Sequence, residues 1–164
     1  MYLRDYFHNL KIDCKKIFFS GISFNSKYTK KNHIFFAVKG NKVDGNSFIS
    51  SAIKNGSKII VTENKISGFK NDILFIQTKN VRKLLAKISF KIYKKIPRNL
   101  IAVTGTNGKS SVADFYFQIL DLNNQKVASI GTLGVKSKNI NLDLSNTTID
   151  PIKLGKILTK LKSQ

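Results

Sequence analysis

Residues 100–131 read LIAVTGTNGKSSVADFYFQILDLNNQKVASIG. The apolar, β-branched start of this stretch, residues 100–105, predicts a buried strand that leads into a glycine-rich loop. A helix is predicted from about Lys109 to Leu122, and residues 126–131 predict a second strand. Because a strand, a helix and another strand in this order form a βαβ unit, the stretch predicts a parallel sheet with a right-handed crossover.

The loop Val103–Ser111, VTGTNGKSS, has the composition of a phosphate-binding loop. Gly105 and Gly108 would let the backbone turn tightly and approach an anion, and free amides at the helix start would point toward it. Lys109 is predicted to contact the β- and γ-phosphates of a nucleotide, and Ser110 to offer its hydroxyl to Mg²⁺. The ordinary P-loop pattern needs glycine where this loop begins with valine, so the loop is a shorter variant. A glycine-rich turn without a ligand is the alternative interpretation.

The chain before this stretch alternates between apolar, strand-like runs and segments with helical spacing. We predict strands at residues 33–38, 58–62 and 73–77, and helices at residues 3–10, 46–55 and 80–93. Residues 17–24 are apolar and β-prone, but this run is broken at Gly21. Gly56 is predicted to end the second of these helices, and Asn80 to cap the start of the third.

A domain boundary is predicted at residues 94–99, KKIPRN. Pro97 in this segment fits neither a helix interior nor a central strand. We therefore predict two domains, residues 1–95 and residues 98–164, within an α/β fold. The second domain should also contain a helix over residues 151–161, with Asp150 at its N-cap and proline at its first position.

The net charge of +20 arises from 29 basic and 9 acidic residues. A strongly basic chain can bind nucleic acid, an anionic membrane or acidic ligands. Lysine supplies 26 of the basic residues and is spread along the whole chain. Arginine, which is better suited to bidentate contacts with phosphate and guanine, is scarce. We therefore favour solvated lysines over a nucleic-acid interface, and keep a non-catalytic nucleotide- or nucleic-acid-binding module as an alternative.

Several features point to a cytoplasmic protein without a membrane partner. Cys14 is the single cysteine, which excludes an intramolecular disulfide. The first residues lack the charged and apolar regions of a signal peptide, and no apolar stretch approaches the ~20 residues that span a bilayer. His8 and His33 do not have metal-ligand spacing.

The loop sequence VTGTNGKSS resembles the ATP loop of Mur ligases and of folylpolyglutamate synthases. Four further segments resemble the Mur ligases that add the third amino acid to a UDP-N-acetylmuramoyl dipeptide: SFNSK at 23–27, IFFAVKGNKVDGNSFISSAIKNGSKIIV at 34–61, GTLGV at 131–135 and NTTIDPIKL at 146–154. Folylpolyglutamate synthases lack the domain that residues 23–61 resemble, and GTNGKSS with NTTID argues against the dipeptide-adding Mur ligase. Those two enzymes stay as alternatives within the group.

The resemblance implies a small N-terminal α/β domain that binds the uridine nucleotide, followed by the truncated start of a P-loop-type, parallel-sheet ATP-binding domain. It implies that the nucleotide sugar contacts Phe24, Ser26, Lys42, Val43 and Asp44. It implies that the muramoyl dipeptide contacts Asn146, Thr147 and Thr148. It implies that ATP contacts Gly105, Thr106, Asn107, Gly108, Lys109, Ser110 and Ser111, with Lys109 as the catalytic residue and Ser110 as the Mg²⁺ ligand.

The chain departs from the family pattern at Asn25 and Lys27, where Asp and Arg are usual. Lysine lacks the planar fork of arginine, and asparagine lacks a carboxylate, so weaker binding on the uridine side is expected. Ile149 also stands where many relatives carry Pro or Gly.

By resemblance, the full reaction uses ATP and Mg²⁺ to convert the D-glutamyl carboxylate of UDP-N-acetylmuramoyl-L-alanyl-D-glutamate into an acyl phosphate. The amino group of the incoming amino acid then displaces phosphate. The family's metal-binding glutamate, its carbamylated lysine and its amino-acid-binding domain have no counterpart before Gln164. We therefore expect a truncated ligase that is inactive alone, with a second chain as a possible source of the missing domains.

Overall fold

A computed structural model describes residues 1–7, 16–40, 43–144 and 149–163 of the chain. The chain divides into two compact units, Met1–Tyr93 and Lys94–Gln164. The predicted helix at residues 3–10 falls partly outside the described residues, and its described part forms a 3-10 helix, Leu3–Asp5. Cys14 and His8 also lie outside them.

The first unit is built on a five-stranded sheet with the strand order β1-β2-β3-β5-β4. Its strands are β1 (Gly21–Ser23), β2 (His33–Phe36), β3 (Ile59–Thr62), β4 (Gly68–Lys70) and β5 (Ile73–Gln77). Strands β1, β2, β3 and β5 are parallel, and β4 pairs with β5 in the antiparallel sense. This sheet confirms the α/β fold class. The sequence did not predict β4, which has three residues, two of them exposed.

The core of this unit lies where apolar runs make both faces of the sheet hydrophobic. Every residue of β3 is buried, and β2 is buried after His33. Such continuous apolar runs are typical of parallel strands that are covered on both faces. Phe35 and Ile60 share a cluster with Ile73 of β5 and Ala52 of a short helix. The three corresponding strand predictions are therefore confirmed by burial as well as by pairing.

Two helices, α1 (Ile49–Lys54) and α2 (Val81–Ile92), follow β2 and β5. The predicted cap is present, because Asn80 Oδ1 accepts the N–H of Lys83 at 2.7 Å. Glu63 Oε1 accepts the N–H of Val81 at 3.0 Å, which joins the start of α2 to the residue after β3. Gly56 has a φ of +95° just after α1, and this backbone conformation favours glycine as the terminator.

The described part of the second unit contains two helices and a three-stranded sheet. Its elements are α3 (Lys109–Leu122), β6 (Ala128–Gly131), β7 (Gly134–Ser137), β8 (Ile140–Leu142) and α4 (Pro151–Lys162). Val135 and Ile140 of the sheet are buried with Ile157 of α4. Asp150 Oδ1 accepts the N–H of Lys153 at 2.9 Å, so the predicted N-cap of the last helix is confirmed.

The predicted βαβ unit in this part of the chain is wrong. The order β6-β7-β8 is antiparallel throughout, and residues 100–105 form no strand. A parallel strand needs a neighbour that satisfies its backbone groups, and none of the described strands pairs with this segment. Its side chains are exposed accordingly, with Ile101 at 65%.

No residue of helix α3 is fully buried in the described part of the second unit, although Phe117 and Leu120 are half-buried. Five other apolar residues of this helix are exposed: Val112, Phe115, Tyr116, Ile119 and Leu122, the last at 83%. Contiguous exposed apolar side chains of this size are typical of an interaction surface. Among the described residues, no helix combines the length and apolar character that crossing a membrane requires.

The position of Gly45 generates a stability prediction. A Cβ placed there would lie 2.5 Å from the carbonyl oxygen of Val38 and 2.8 Å from the carbonyl carbon of Ala37. Because both neighbours are backbone atoms, Gly45→Ala should lower the free energy of unfolding by about 1–3 kcal/mol, measured by urea denaturation. Gly131→Ala is the matched control, since no atom lies within 4 Å of its added Cβ. Equal stabilities of the two variants would contradict the prediction.

Candidate functional site

The glycine loop before α3 has the backbone conformation that its sequence requires. Gly105 has a φ of +150°, and Gly108, at the N-cap position of α3, has a φ of +74°. L side chains rarely adopt these values, so the two glycines permit the turn. The first hydrogen bond of the helix runs from the N–H of Val112 to the carbonyl of Gly108 at 2.9 Å. The amides that precede it lack intrahelical acceptors and make the helix start a suitable anion site.

The side chain of Lys109 folds back and donates hydrogen bonds to the backbone of the glycine loop. Its Nζ donates to the carbonyl oxygens of Gly105 and of Thr106, the latter at 3.1 Å. The ammonium therefore lies beside the backbone of the glycine turn, and it is exposed to solvent. A phosphate group at the helix start could replace these carbonyls as the acceptor and gain a charge-assisted hydrogen bond.

Two contacts join the first half of α3 to the turn and strand that follow β6. The hydroxyl oxygens of Ser110 and Thr132 are 2.9 Å apart. The ammonium of Lys136 on β7 lies 3.2 Å from Asp114 Oδ1, and Gln118 Nε2 donates to the same carboxylate at 2.7 Å. The hydrogen bonds from Gln118 and then from Lys136 hold the pKa of Asp114 below its ordinary value.

The donor chemistry at the helix start fits a hard cation held partly by a nucleotide. Ser110 provides a hydroxyl oxygen at this position, and Mg²⁺ prefers oxygen ligands. Within the described part of the chain, no group of three His, Cys, Asp or Glu side chains could hold a metal by itself. A cation here would therefore need phosphate oxygens and water to complete its coordination.

The first unit contains a surface cleft of about 270 Å³. It lies where the segments after β1 and β2 leave the sheet, and crevices beyond the carboxyl ends of parallel strands are common ligand sites. Its lining consists of Phe24, Asn25, Ser26, Lys27, Val38, Val43, Gly45 and Phe48. The structure thus brings together three of the predicted nucleotide-sugar contacts, Phe24, Ser26 and Val43.

Asn25 and Ser26 shape one wall of the cleft. Asn25 Oδ1 accepts the N–H of Lys27 at 3.0 Å and caps a 3-10 helix, Ser26–Tyr28. The buried Ser26 accepts, through its carbonyl oxygen, a 2.8 Å hydrogen bond from Asn55 Nδ2. Asparagine can make this cap as well as aspartate can, so the departure at position 25 preserves the local backbone.

Asp44, a predicted contact, is not among the residues that line the cleft, but it caps the 3-10 helix Gly45–Phe48, whose first and last residues do line it. Its Oδ1 accepts the backbone N–H of Asn46 at 2.9 Å and the side-chain amide at 2.8 Å. These two bonds, the backbone one first, hold the pKa of Asp44 below its ordinary value. Asn46 Oδ1 in turn accepts the hydroxyl of Thr62 at 2.6 Å, which connects the loop to the end of β3.

Not every predicted site residue can be placed. Lys42, Asn146, Thr147 and Thr148 lie outside the described residues. Besides Asn25 and Lys27, which were named only as departures from the family pattern, the cleft is lined by Val38, Gly45 and Phe48, which were not predicted as contacts. The sequence features that could have identified these three residues are the Asp-Gly turn pair and the apolar strand before it. Thr132, in the GTLGV segment, was also not predicted as a site residue, although it lies beside Ser110.

Comparison with known proteins identifies the family. The description "Mur ligase family, catalytic domain" matches residues 19–90, and "Mur ligase middle domain" matches residues 103–164. The chain belongs to the Mur ligase family. The first match contains the cleft, and the second begins at the glycine loop.

Curated relatives of this Mur ligase chain are named UDP-N-acetylmuramoyl-L-alanyl-D-glutamate--2,6-diaminopimelate ligase. The protein from Rickettsia prowazekii is 42% identical over 145 residues, which cover 86% of this chain and 30% of the relative. A second such ligase, from Clostridium acetobutylicum, is 34% identical over 167 residues, covering 96% of this chain and 35% of the relative. The chain thus spans about a third of the length of the curated relatives it matches.

Solved structures of Mur ligases are similar as well. A UDP-N-acetylmuramoyl-L-alanyl-D-glutamate--2,6-diaminopimelate ligase matches all of this chain and 34% of its own, with a TM-score of 0.78 and 25% identity. The MurF ligase from Thermotoga maritima in complex with ADP matches 68% of this chain and 25% of its own, with a TM-score of 0.50 and 26% identity.

The hydrogen bonds to Asp44 generate a pH prediction. Because they lower the folded-state pKa, their contribution to stability is complete above the ordinary aspartate pKa and is lost as the pH falls through the lowered value. Asn46→Ala removes the side-chain bond and keeps the backbone bond, so the pKa of Asp44 should rise part of the way to its ordinary value. Carboxyl ¹³C NMR titration measures this pKa. Asn64→Ala, which keeps both bonds, is the control, and an unchanged pKa in Asn46→Ala would contradict the assignment.

Proposed function

We propose that this chain forms the uridine-nucleotide-binding and ATP-binding parts of a cytoplasmic ligase. That ligase would add the third amino acid to UDP-N-acetylmuramoyl-L-alanyl-D-glutamate. The observation that carries the proposal is the glycine loop at the start of α3. Its two positive-φ glycines, its free amides and Lys109 form an anion site at the point where the middle-domain match begins. The names of the relatives favour 2,6-diaminopimelate as the amino acid.

The proposed reaction has two steps. The D-glutamyl carboxylate attacks the γ-phosphorus of ATP, the bond from that phosphorus to the β,γ-bridging oxygen breaks, and an acyl phosphate and ADP form. The amine of the incoming amino acid then attacks the acyl carbon, the C–O bond to phosphate breaks, and the nitrogen loses a proton as the amide forms. Phosphoryl transfer of this kind depends mainly on positioning and charge stabilisation.

The residues of this chain would serve the first step. Amides at the start of α3 would hold the phosphates, and Lys109 would leave the loop carbonyls to neutralise charge on the transferring group. Mg²⁺, held by Ser110 and phosphate oxygens, would add positive charge beside the same group. Thr106, Asn107 and Ser111 complete the proposed ATP contacts.

The cleft of the first unit is the proposed site for the uridine nucleotide. Phe24, Val43 and Lys27 are among its lining residues, and two apolar residues with one basic residue suit a base and a phosphate group. Lys42 and Asp44 are proposed as further contacts, and residues 146–148 as contacts for the muramoyl dipeptide.

We further propose that these 164 residues do not complete the reaction alone. The support is the exposed apolar side of α3 together with the unpaired apolar segment 100–103, which another part of a middle domain could cover. That part could belong to a second chain. Amide-bond synthesis from UDP-N-acetylmuramoyl-L-alanyl-D-glutamate, ATP and diaminopimelate by the purified 164-residue chain would refute this proposal.

Replacement of the loop lysine tests the ATP site. Lys109→Ala should weaken ATP binding about 10- to 100-fold, because a hydrogen bond to a charged phosphate contributes about 1.5–3 kcal/mol. Isothermal calorimetry measures the affinity, and circular dichroism should show an unchanged fold. Lys138→Ala, which removes one exposed lysine from the turn between β7 and β8, is the charge-matched control. Equal affinities in the two variants would refute the assignment of Lys109.

Position 27 tests the uridine site. Lys27→Ala should weaken binding of uridine diphosphate about 3- to 10-fold, and Lys27→Arg should restore or tighten binding, because arginine adds a planar fork for phosphate. NMR titration of the backbone amides measures both affinity and location. Lys30→Ala, another exposed lysine close in sequence, is the control for nonspecific attraction. The same loss in Lys30→Ala as in Lys27→Ala would count against a specific site.

A further inference from the structure

Thr132 lies in the turn between β6 and β7, within the GTLGV segment to which no role has been assigned. Its hydroxyl oxygen is 2.9 Å from that of Ser110, although the two residues are 22 positions apart in sequence. Ser110 is in the first turn of α3, beside the glycine loop. The fold therefore places a second hydroxyl directly against the proposed cation ligand.

The contact between Ser110 and Thr132 can orient the Ser110 hydroxyl as a cation ligand. A hydroxyl has one hydrogen and two lone pairs, and its hydrogen rotates to suit its surroundings. When a lone pair faces a cation, the hydrogen must point away from it and needs an acceptor. Thr132 Oγ1 is within hydrogen-bond distance of Ser110 and can accept that hydrogen.

Independent contacts hold the turn in place. Lys136 on β7 contacts Asp114 on the second turn of α3 at 3.2 Å, so a second bridge connects the same helix to the same hairpin. Gly134 has a φ of +90°, and a Cβ there would collide with the carbonyl oxygen of Leu142 on β8. The position of Thr132 is thus set by the sheet as well as by its contact with Ser110.

We propose that Thr132 is a positioning residue for the magnesium–nucleotide site. It accepts the hydrogen bond of Ser110 and so turns a lone pair of that hydroxyl toward the cation. The inference rests on the proposed function of the glycine loop. It predicts that Thr132 affects the magnesium-dependent part of nucleotide affinity and leaves the magnesium-independent part unchanged.

The experiment measures ADP binding to the 164-residue chain by calorimetry, once with Mg²⁺ and once with EDTA. Wild-type chain should bind more tightly with Mg²⁺. Thr132→Val, which is nearly isosteric but cannot accept the bond, should lose about tenfold of that magnesium enhancement, since residues that orient a metal ligand typically contribute 10–100-fold. Its affinity in EDTA should equal that of the wild type. Thr132→Ser, which keeps the hydroxyl, should retain the enhancement.

Other outcomes separate this inference from the function on which it rests. A wild-type chain that binds no ADP in either condition would overturn the proposed ATP site and the role of Thr132 with it. Wild-type binding with an unchanged enhancement in Thr132→Val would overturn the role of Thr132 alone. An equal loss with Mg²⁺ and with EDTA would assign Thr132 a purely structural role and also overturn the inference. Ser110→Ala combined with Thr132→Val should lose no more enhancement than Ser110→Ala alone.

Discussion

The candidate cleft depends on the parallel pairing of β2 with β1 on one side and β3 on the other. Parallel strands end at a common edge, so the segments that follow β1 and β2 leave the sheet side by side and both line the cleft. The Ser57 hydroxyl lies 2.8 Å from the His33 carbonyl oxygen and 3.0 Å from that of Ile59, which supports this pairing. The geometry of the loops therefore follows from the buried sheet, and their own hydrogen bonds refine it.

In the first unit, local sequence signals and tertiary structure agree. Strand β3 and strand β5 are apolar runs that need burial, and Asn80 and Gly56 are residues whose side chain or flexibility suits a helix end. Each of these features was predictable because its cause lies within a few residues. Strand β4 was not, because Gly68–Lys70 has little apolar character and pairs only through its neighbour β5. The lining of the cleft was predicted in part, since motif resemblance identified Ser26 but not the backbone contact of Gly45 with Val38.

In the second unit, features that depend on local sequence were predicted, and features that depend on distant residues were not. The extent of α3 was predicted to the residue, because the loop glycines and the helical spacing are local. The failure of residues 100–105 to form a strand was not predictable, because a β-prone run forms a strand only where a neighbour accepts its hydrogen bonds. The contact of Ser110 with Thr132 belongs to the same class. It depends on the antiparallel turn after β6, whose direction the residues themselves do not specify.

The exposed apolar side of α3, on a chain with a net charge of +20, should affect how copies of the chain associate in solution. Two copies that approach through these apolar surfaces bring two strongly positive bodies together. Their repulsion acts over roughly one Debye length, about 8 Å at physiological ionic strength. Added salt shortens that range while the attraction between apolar surfaces persists. The lysine excess should thus keep separate copies apart in dilute buffer, and the solubility of the chain should fall as the ionic strength rises.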